Sequence, residues 1–517
     1  MKKKLSRVIF RRRVFVFFTL LVQISLIVFL IAGTSIYFNY VNWFLRFTSI
    51  IVCIHVLNKH TKAAYKITWI FLIMLFPLFG GILYIFFTSQ SNPRKLRRLI
   101  NYTVQESSDA FYLCGDHLPK LERIYPEFKP QARYLQEYAG FPVYSNTKTL
   151  YFDSGESFFR RVLEELQKAE KYIFLEFFIL REGVMLNPIL SILEQKAKKG
   201  LDVRLMYDDL GCFLSLPADF REKLENKGIK CFVFNRFRPI LSSLQNNRDH
   251  RKIISIDGKI AFTGGINLAD EYINAVERFG YWKDAAIMLE GEGAWSLALI
   301  FLQMWNTLYS LHNGSPVKNN YEIYYPWKNN ACEIDSGGFV QPYADNPIDN
   351  ENVGEHVYIQ IINKAKKYVY INTPYLIPDD NILSALTLAA KSGVDVRIIT
   401  PHRWDKWIVE ITSRSYYRQL ISAGVKVYEY TSGFNHGKTF VSDDTVATVG
   451  TTNLDYRSLY LHFECGVIVY FDETVQAVKE DFLRTIPVSH EITLKECSHN
   501  AVSRIIPDVL RVFAPLM

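Results

Sequence analysis

Residues 250–257 read His250-Arg251-Lys252-Ile253-Ile254-Ser255-Ile256-Asp257, followed at 264–267 by Gly264-Gly265-Ile266-Asn267. The same pattern returns as His436-Gly437-Lys438 through Asp443, then Gly450-Thr451-Thr452-Asn453. Both copies obey H-x-K-x4-D, with a glycine seven and an asparagine ten residues beyond the aspartate. On an extended strand positions i and i+2 share a face, so each His–Lys pair can address one group of ligand atoms. Residue frequencies allow only about 0.04 chance copies of the triplet in such a chain. Two copies with matching tails therefore mark a duplication.

The duplication extends outward from the motifs. Ala169-Glu-Lys-Tyr-Ile-Phe-Leu-Glu176 pairs with Ala365-Lys-Lys-Tyr-Val-Tyr-Ile-Asn372. Gly200-Leu-Asp-Val-Arg204 pairs with Gly393-Val-Asp-Val-Arg397, and Gly228-Ile-Lys230 with Gly424-Val-Lys426. A period near 195 residues is far too long for a solenoid, which leaves two domains in tandem. Within the first copy, Phe158, Val162, Leu163 and Leu166 recur at helical spacing over 156–170, and 172–180 is a short apolar strand. A helical pattern follows over 186–199, then a buried strand over 203–207. This alternation predicts an α/β sandwich, mixed sheets flanked by helices and related by a pseudo-two-fold axis. The expected domains are 136–320 and 338–490, joined through a Gly-, Ser-, Pro- and Asn-bearing stretch at 313–330. Residues 91–135 read as a polar linker and 491–517 as a C-terminal docked helix.

Charge is distributed unevenly over the 517 residues. The net +8 includes fifteen basic and no acidic residues in positions 1–98, which leaves −7 for the remainder. A body of that sign, without a basic stripe, argues against a nucleic-acid partner. The head reads as a membrane anchor, residues 1–90, with hydrophobic segments at 14–38, 43–57 and 67–88. The first is 25 residues without a charge, enough to cross a hydrocarbon core of about 30 Å. It is too long for a cleaved signal and more apolar sequence follows it. The expectation is N-terminal transmembrane helices and a multi-pass protein of the cell membrane. Two crossings leave the body cytoplasmic and three put it outside. Lys59, Lys62 and Lys66 favour three, and the basic cluster at 94–98 favours two. The seven cysteines are scattered without CxxC spacing, so neither a disulfide framework nor a zinc site is expected.

The paired motifs suit a phosphodiester. Two lysines, one per copy, can hold the non-bridging oxygens and balance charge in the transition state. One neutral histidine can attack phosphorus, and the other, protonated, can serve the leaving and entering oxygens. No P-loop, HExxH or cofactor motif is present, and neither metal nor cofactor is expected. The string 231–241 mixes aromatics, arginines and leucines, and reads equally as a headgroup-dipping loop or as a core strand entering a polar loop.

In these motifs the chain resembles the phospholipase D superfamily and, within it, the bacterial cardiolipin synthases. The longer string Asn247-Arg-Asp-His250, its continuation through Gly264 to Tyr272, Asn372-Thr-Pro-Tyr375, and Asn453-Leu-Asp-Tyr-Arg-Ser458 carry the likeness. So does the segment 66–87 with Trp69, Pro77 and Gly81. The likeness covers about residues 40–517. It implies a phospholipase D-like fold and transfer of a phosphatidyl group between two phosphatidylglycerols, giving cardiolipin and glycerol through a phosphohistidine. A phospholipase D-type hydrolase, or a transferase to another alcohol, is the alternative. The implied catalytic set is His250, Lys252, Asp257, His436, Lys438 and Asp443, with attack assigned to His250 and acid–base work to His436. The aspartates read as turn or lysine-supporting members. Asn267 and Asn453 are expected to donate to phosphate oxygens. Asp284 and Glu464, at equivalent strand positions, are expected to orient the histidines. The implied partners are phosphatidylglycerol, cardiolipin and the membrane.

Overall fold

The computed structural model describes residues 25, 38–59, 61–76, 80–81, 84–85, 93–237, 243–328, 332, 334, 336–349, 351–497 and 501–516. Its first sheet orders seven strands as Thr147–Phe152, Ala286–Gly291, Ile260–Gly264, Ile253–Ile256, Tyr172–Phe177, Asp202–Asp208 and Lys230–Phe234. The second repeats that order as Phe339–Asp345, His462–Tyr470, Val446–Gly450, Thr439–Ser442, Tyr368–Asn372, Asp395–Pro401 and Lys426–Tyr430, and adds Ser489–Glu491 at its edge. In each sheet the three strands centred on Asp202–Asp208 or Asp395–Pro401 are parallel and the others antiparallel. The mixed α/β duplication read from the repeats is thus present strand for strand. Tyr172–Phe177 is buried throughout, as expected of a strand with both faces covered.

The helix Glu292–Asn313 is buried along most of its length and packs against strands of the first sheet and against Phe339–Asp345 of the second. Gly314, in the left-handed region at φ 82°, ends it. Of the stretch 91–135, read as a linker from its polarity, the described residues 93–135 are instead folded onto the body, 93–114 against this helix and 118–135 against the second domain. Pro93–Ser107 lies along the helix, Ile100, Phe111, Leu121 and Leu135 are buried, and Trp295 Nε1 donates to the Ala110 carbonyl at 2.8 Å. One apolar face on an otherwise charged helix is enough to dock it.

The head forms the helices Phe38–Asn58 and Ala63–Leu75. Among the described residues no helix is long and apolar enough to cross a membrane. The segment 14–38 lies outside the described residues except for positions 25 and 38. The turn between the two helices is tied to the second domain, because Lys62 Nζ lies 2.6 Å from Glu355 and 3.5 Å from Asp379. Ala501–Phe513 closes the join: the Thr68 hydroxyl donates to the Val512 carbonyl at 2.6 Å, and Phe71 meets Phe513 edge-on at 5.8 Å. Trp43, Phe44, Phe47, Ile50, Ile51 and Ile54 remain exposed on the first helix, Ile67, Phe71 and Met74 on the second, and Ile505, Ile506 and Val509 on the C-terminal one.

The aspartates of the two motifs hold strand starts. Asp257 accepts backbone N–H groups of Glu170, Lys171 and Tyr172, each at 2.8 Å, and Asp443 does the same for Lys366, Lys367 and Tyr368. Both sit in left-handed turns, at φ 53° and 56°. Asp257 lies five residues beyond Lys252, about 16 Å along an extended strand, so its carboxylate works at the far end of the sheet from the histidine. A turn-and-anchor role accounts for every contact it makes. Asp257→Ala, which leaves three backbone donors without their acceptor, should therefore destabilise the protein by about 2–4 kcal/mol. Chemical denaturation of the full chain in detergent measures this, and an unchanged midpoint would refute the anchor role.

Candidate active site

Each motif histidine is fastened to the other domain. The two-residue strand Arg248–Asp249 pairs in parallel with His462 and Phe463, and the His250 N–H continues the ladder to the Phe463 carbonyl at 2.9 Å. Symmetrically, Gly433–Asn435 pairs with Tyr281–Lys283, and the His436 N–H donates to the Lys283 carbonyl at 2.7 Å. The next residue along each receiving strand is the acid. His250 Nδ1 accordingly lies 2.9 and 3.0 Å from the two Glu464 oxygens, and His436 Nδ1 lies 2.6 Å from Asp284 Oδ2. Both acids are fully buried. With Nδ1 held in each ring, Nε2 is the nitrogen left for chemistry.

The acids are themselves held. Thr451 Oγ1 donates to Glu464, and the Ala285 N–H donates to Asp284 at 2.8 Å. Gly265, the counterpart of Thr451, has no alternative: a Cβ there would stand 2.0 Å from Asp284 Oδ1. Lys252 Nζ donates to the carbonyl of His250 at 2.6 Å, and Lys438 Nζ to that of His436. Each ammonium is thereby placed beside its own histidine. Arg251, between the first His and Lys, is locked below the site by Glu176 at 2.7 Å and Asp249 at 3.0 Å.

Burial dominates the electrostatics. It pushes Lys252 down to about 8 and Lys438 to about 7, against the pull of Glu464 and Asp284. Burial, with Lys252 and Lys438 nearby, holds His250 well below the usual imidazole range, and burial and Lys438 bring His436 to about 4. Burial also opposes the charge on Asp284, but His436 and Lys438 outweigh it and keep that carboxyl below its ordinary range. Such a site favours an anionic ligand. A phosphodiester between the lysines raises the lysine and histidine values together, since its charge stabilises the protonated forms.

The two asparagines are not equivalent. Asn267 accepts from the Ile179 N–H at 3.0 Å and donates to the Tyr272 hydroxyl at 2.8 Å, so it braces the loop over the first domain. Asn453 Oδ1 is buried without a hydrogen-bond partner. Two further residues belong here that motif reading did not single out. Trp282 packs on His436 at 5.2 Å, and its counterpart His462 packs on His250 at 5.4 Å. Both stand two positions before an acid, which the alignment of the two acids makes visible. Their contact with the histidines comes only from the exchange of strands between domains. His250, His462 and Glu464 have ligand atoms within 4.8 Å of one another, and among the described residues they are the set that could gather a metal ion. His250 Nδ1 is already committed to Glu464. Of the string 231–241, the beginning belongs to the strand Lys230–Phe234, and 238–242 lie outside the described residues.

Comparison with known proteins agrees with the duplication. A family model described as the cardiolipin synthase, phospholipase D-like domain matches twice, at 162–286 and 358–486. A phospholipase D-nuclease N-terminal model matches 48–87. A cardiolipin synthase of a Geobacillus species is 35% identical, covering 89% of this chain and 90% of its own. Cardiolipin synthase 2 of Bacillus cereus is 35% identical over 89% and 88%. A Streptococcus mutans protein described as uncharacterized is 45% identical over 90% and 99%. Among solved structures, a Haemophilus influenzae phosphatidylserine synthase superposes with a TM-score of 0.55 at 16% identity, over 74% of this chain and 97% of that one. At that identity the likeness concerns the fold.

Proposed function

This chain belongs to the cardiolipin synthase family, and on that premise we propose that it joins two phosphatidylglycerols into cardiolipin and glycerol through a phosphohistidine. The carrying observation is that each histidine bonds, through Nδ1, to a buried acid of the opposite domain. In the first half-reaction His250 Nε2 attacks the phosphorus of one phosphatidylglycerol, Lys252 and Lys438 neutralise the equatorial oxygens, and the P–O bond to glycerol breaks. His436 supplies the proton that the glycerol oxygen takes. In the second, His436 removes the proton from a headgroup hydroxyl of another phosphatidylglycerol, whose oxygen displaces His250 from phosphorus. One phosphodiester is exchanged for another, so no nucleotide is consumed.

The head keeps this chemistry at the lipid surface. The exposed apolar faces of Phe38–Asn58, Ala63–Leu75 and Ala501–Phe513 support seating in the interfacial layer, with Trp43 as an aromatic anchor. The fifteen basic residues of the head favour an anionic leaflet. The uncharged run 14–38 supports an anchoring span ahead of the helix Phe38–Asn58.

Purified full-length protein in vesicles of headgroup-labelled phosphatidylglycerol should release one glycerol for each cardiolipin formed. Phosphatidic acid as the main product would favour a hydrolase instead, and no lipid product at all would reject phosphatidyl transfer.

A further inference from the structure

Cardiolipin formation, on the reading above, brings a second phosphate to the site, because the acceptor is itself an anionic phospholipid. Lys252 and Lys438 are occupied with the reacting phosphate. Two equivalent places can be compared for the second, the loops that follow the central strand of each parallel set, since ligands gather beyond strand carboxyl ends. The first of these, after Asp202–Asp208, buries Asp209, which accepts the Phe237 N–H, and exposes the side chains of Leu210 and Leu214. It carries no cation between 208 and 219. The second, after Asp395–Pro401, reads His402-Arg403-Trp404-Asp405-Lys406-Trp407-Ile408. The repeat is thus asymmetric at this one lip.

That loop lies beside the reacting centre. The charge of Lys406 is felt at His250. Its ammonium stands 5.6 Å over the ring of Tyr375, whose hydroxyl donates to Asp405 at 2.7 Å and so fixes the loop. Lys406, Trp404, Tyr375 and Phe434 line one small cavity, and Phe434 stacks on His436 at 5.8 Å. The loop therefore borders the His436 side, where an alcohol attacking in line opposite His250 must enter. Trp404, Trp407 and Ile408 are exposed along it. Tryptophan with lysine and arginine is the composition of a segment that rests among lipid headgroups.

We propose that residues 402–408, a loop and the first two residues of the helix Trp407–Ser422 that follows it, form the acceptor-lipid lip. Lys406 pairs with the phosphate of the second phosphatidylglycerol, and Trp404 and Trp407 hold the lip in the headgroup layer. The inference rests on the proposed transfer reaction and adds to it the residue that tells a phospholipid acceptor from a simple alcohol. A charge-assisted contact made only with a phosphate-bearing acceptor alters the choice between acceptors by about tenfold or more.

The test is competition between acceptors. Full-length protein in phosphatidylglycerol vesicles is given ethanol, and cardiolipin and phosphatidylethanol are counted together. Lys406→Ala should shift the ratio at least tenfold toward phosphatidylethanol, Lys406→Glu further, and Lys406→Arg should restore it to within about threefold of wild type. A ratio unchanged within twofold in both the Ala and Glu variants would overturn the assignment. So would a shift in the Arg variant as large as in the Ala variant. The product ratio is independent of how much protein is folded. Failure of the transfer reading itself would show separately, as wild-type protein that makes no cardiolipin.

Discussion

His250→Ala and His436→Ala should each lower cardiolipin formation by at least about a thousandfold while leaving the protein folded. Neither ring is needed to hold the domains together. The ladder contacts that join them run through backbone groups, His250 N–H to Phe463 and His436 N–H to Lys283, which alanine keeps. Each lysine is likewise anchored to the carbonyl of its histidine. What alanine removes is the reactive Nε2, together with the Nδ1 contact to the acid of the other domain. The variants differ in one informative way. If His250 is the nucleophile, wild-type enzyme denatured in detergent at mildly alkaline pH, where the acid-labile N–P bond survives, carries phosphorus-labelled phosphatidyl on the peptide containing residue 250. Label on the peptide containing residue 436 would reverse the two roles, and a variant with near-normal turnover would end the two-histidine mechanism.

How much of this was legible in the sequence depends on the range of the interaction concerned. The duplication was open to reading because strand and helix periodicities are local and recur with the motifs, and the seven-strand order follows them in both copies. The positions of Asp284 and Glu464 were readable from the aligned strands, but the domain each one serves was not. That depends on Arg248–Asp249 and Gly433–Asn435 leaving their own sheets to pair across the domain boundary. The same exchange hides the contacts of Trp282 and His462. Residues 91–135 misled because polarity was averaged over helices that bury a single face, with Ile100 and Phe111 inward. Asp257 shows the opposite case. Its place in a motif suggests chemistry, whereas its left-handed turn and three backbone donors describe an anchor.

The exchange of acids between domains leads to the second large effect, in Asp284→Asn and Glu464→Gln. Each substitution keeps the shape of the side chain and removes the charge facing Nδ1 of a histidine in the other domain. An amide can present either its oxygen or its NH2 to that nitrogen, so the tautomer with Nε2 free is no longer enforced, and the imidazolium loses its counter-charge. A loss of about a hundredfold or more in kcat/KM is expected for each, with thermal unfolding little changed. The pairing predicts which step suffers. Glu464→Gln acts on His250 and should slow formation of the phosphohistidine. Asp284→Asn acts on His436 and should slow proton transfer in both half-reactions, so added glycerol, which is the reverse acceptor, should not relieve it. Because Asp284 pairs with His436, Asp284→Asn combined with His436→Ala should cost little beyond His436→Ala alone. If either single variant keeps more than about a third of wild-type turnover, a loss well under 1 kcal/mol, the acid does not act through its histidine. The domains would then be joined for stability alone. As built, neither domain holds a complete histidine–acid pair, so catalysis requires both.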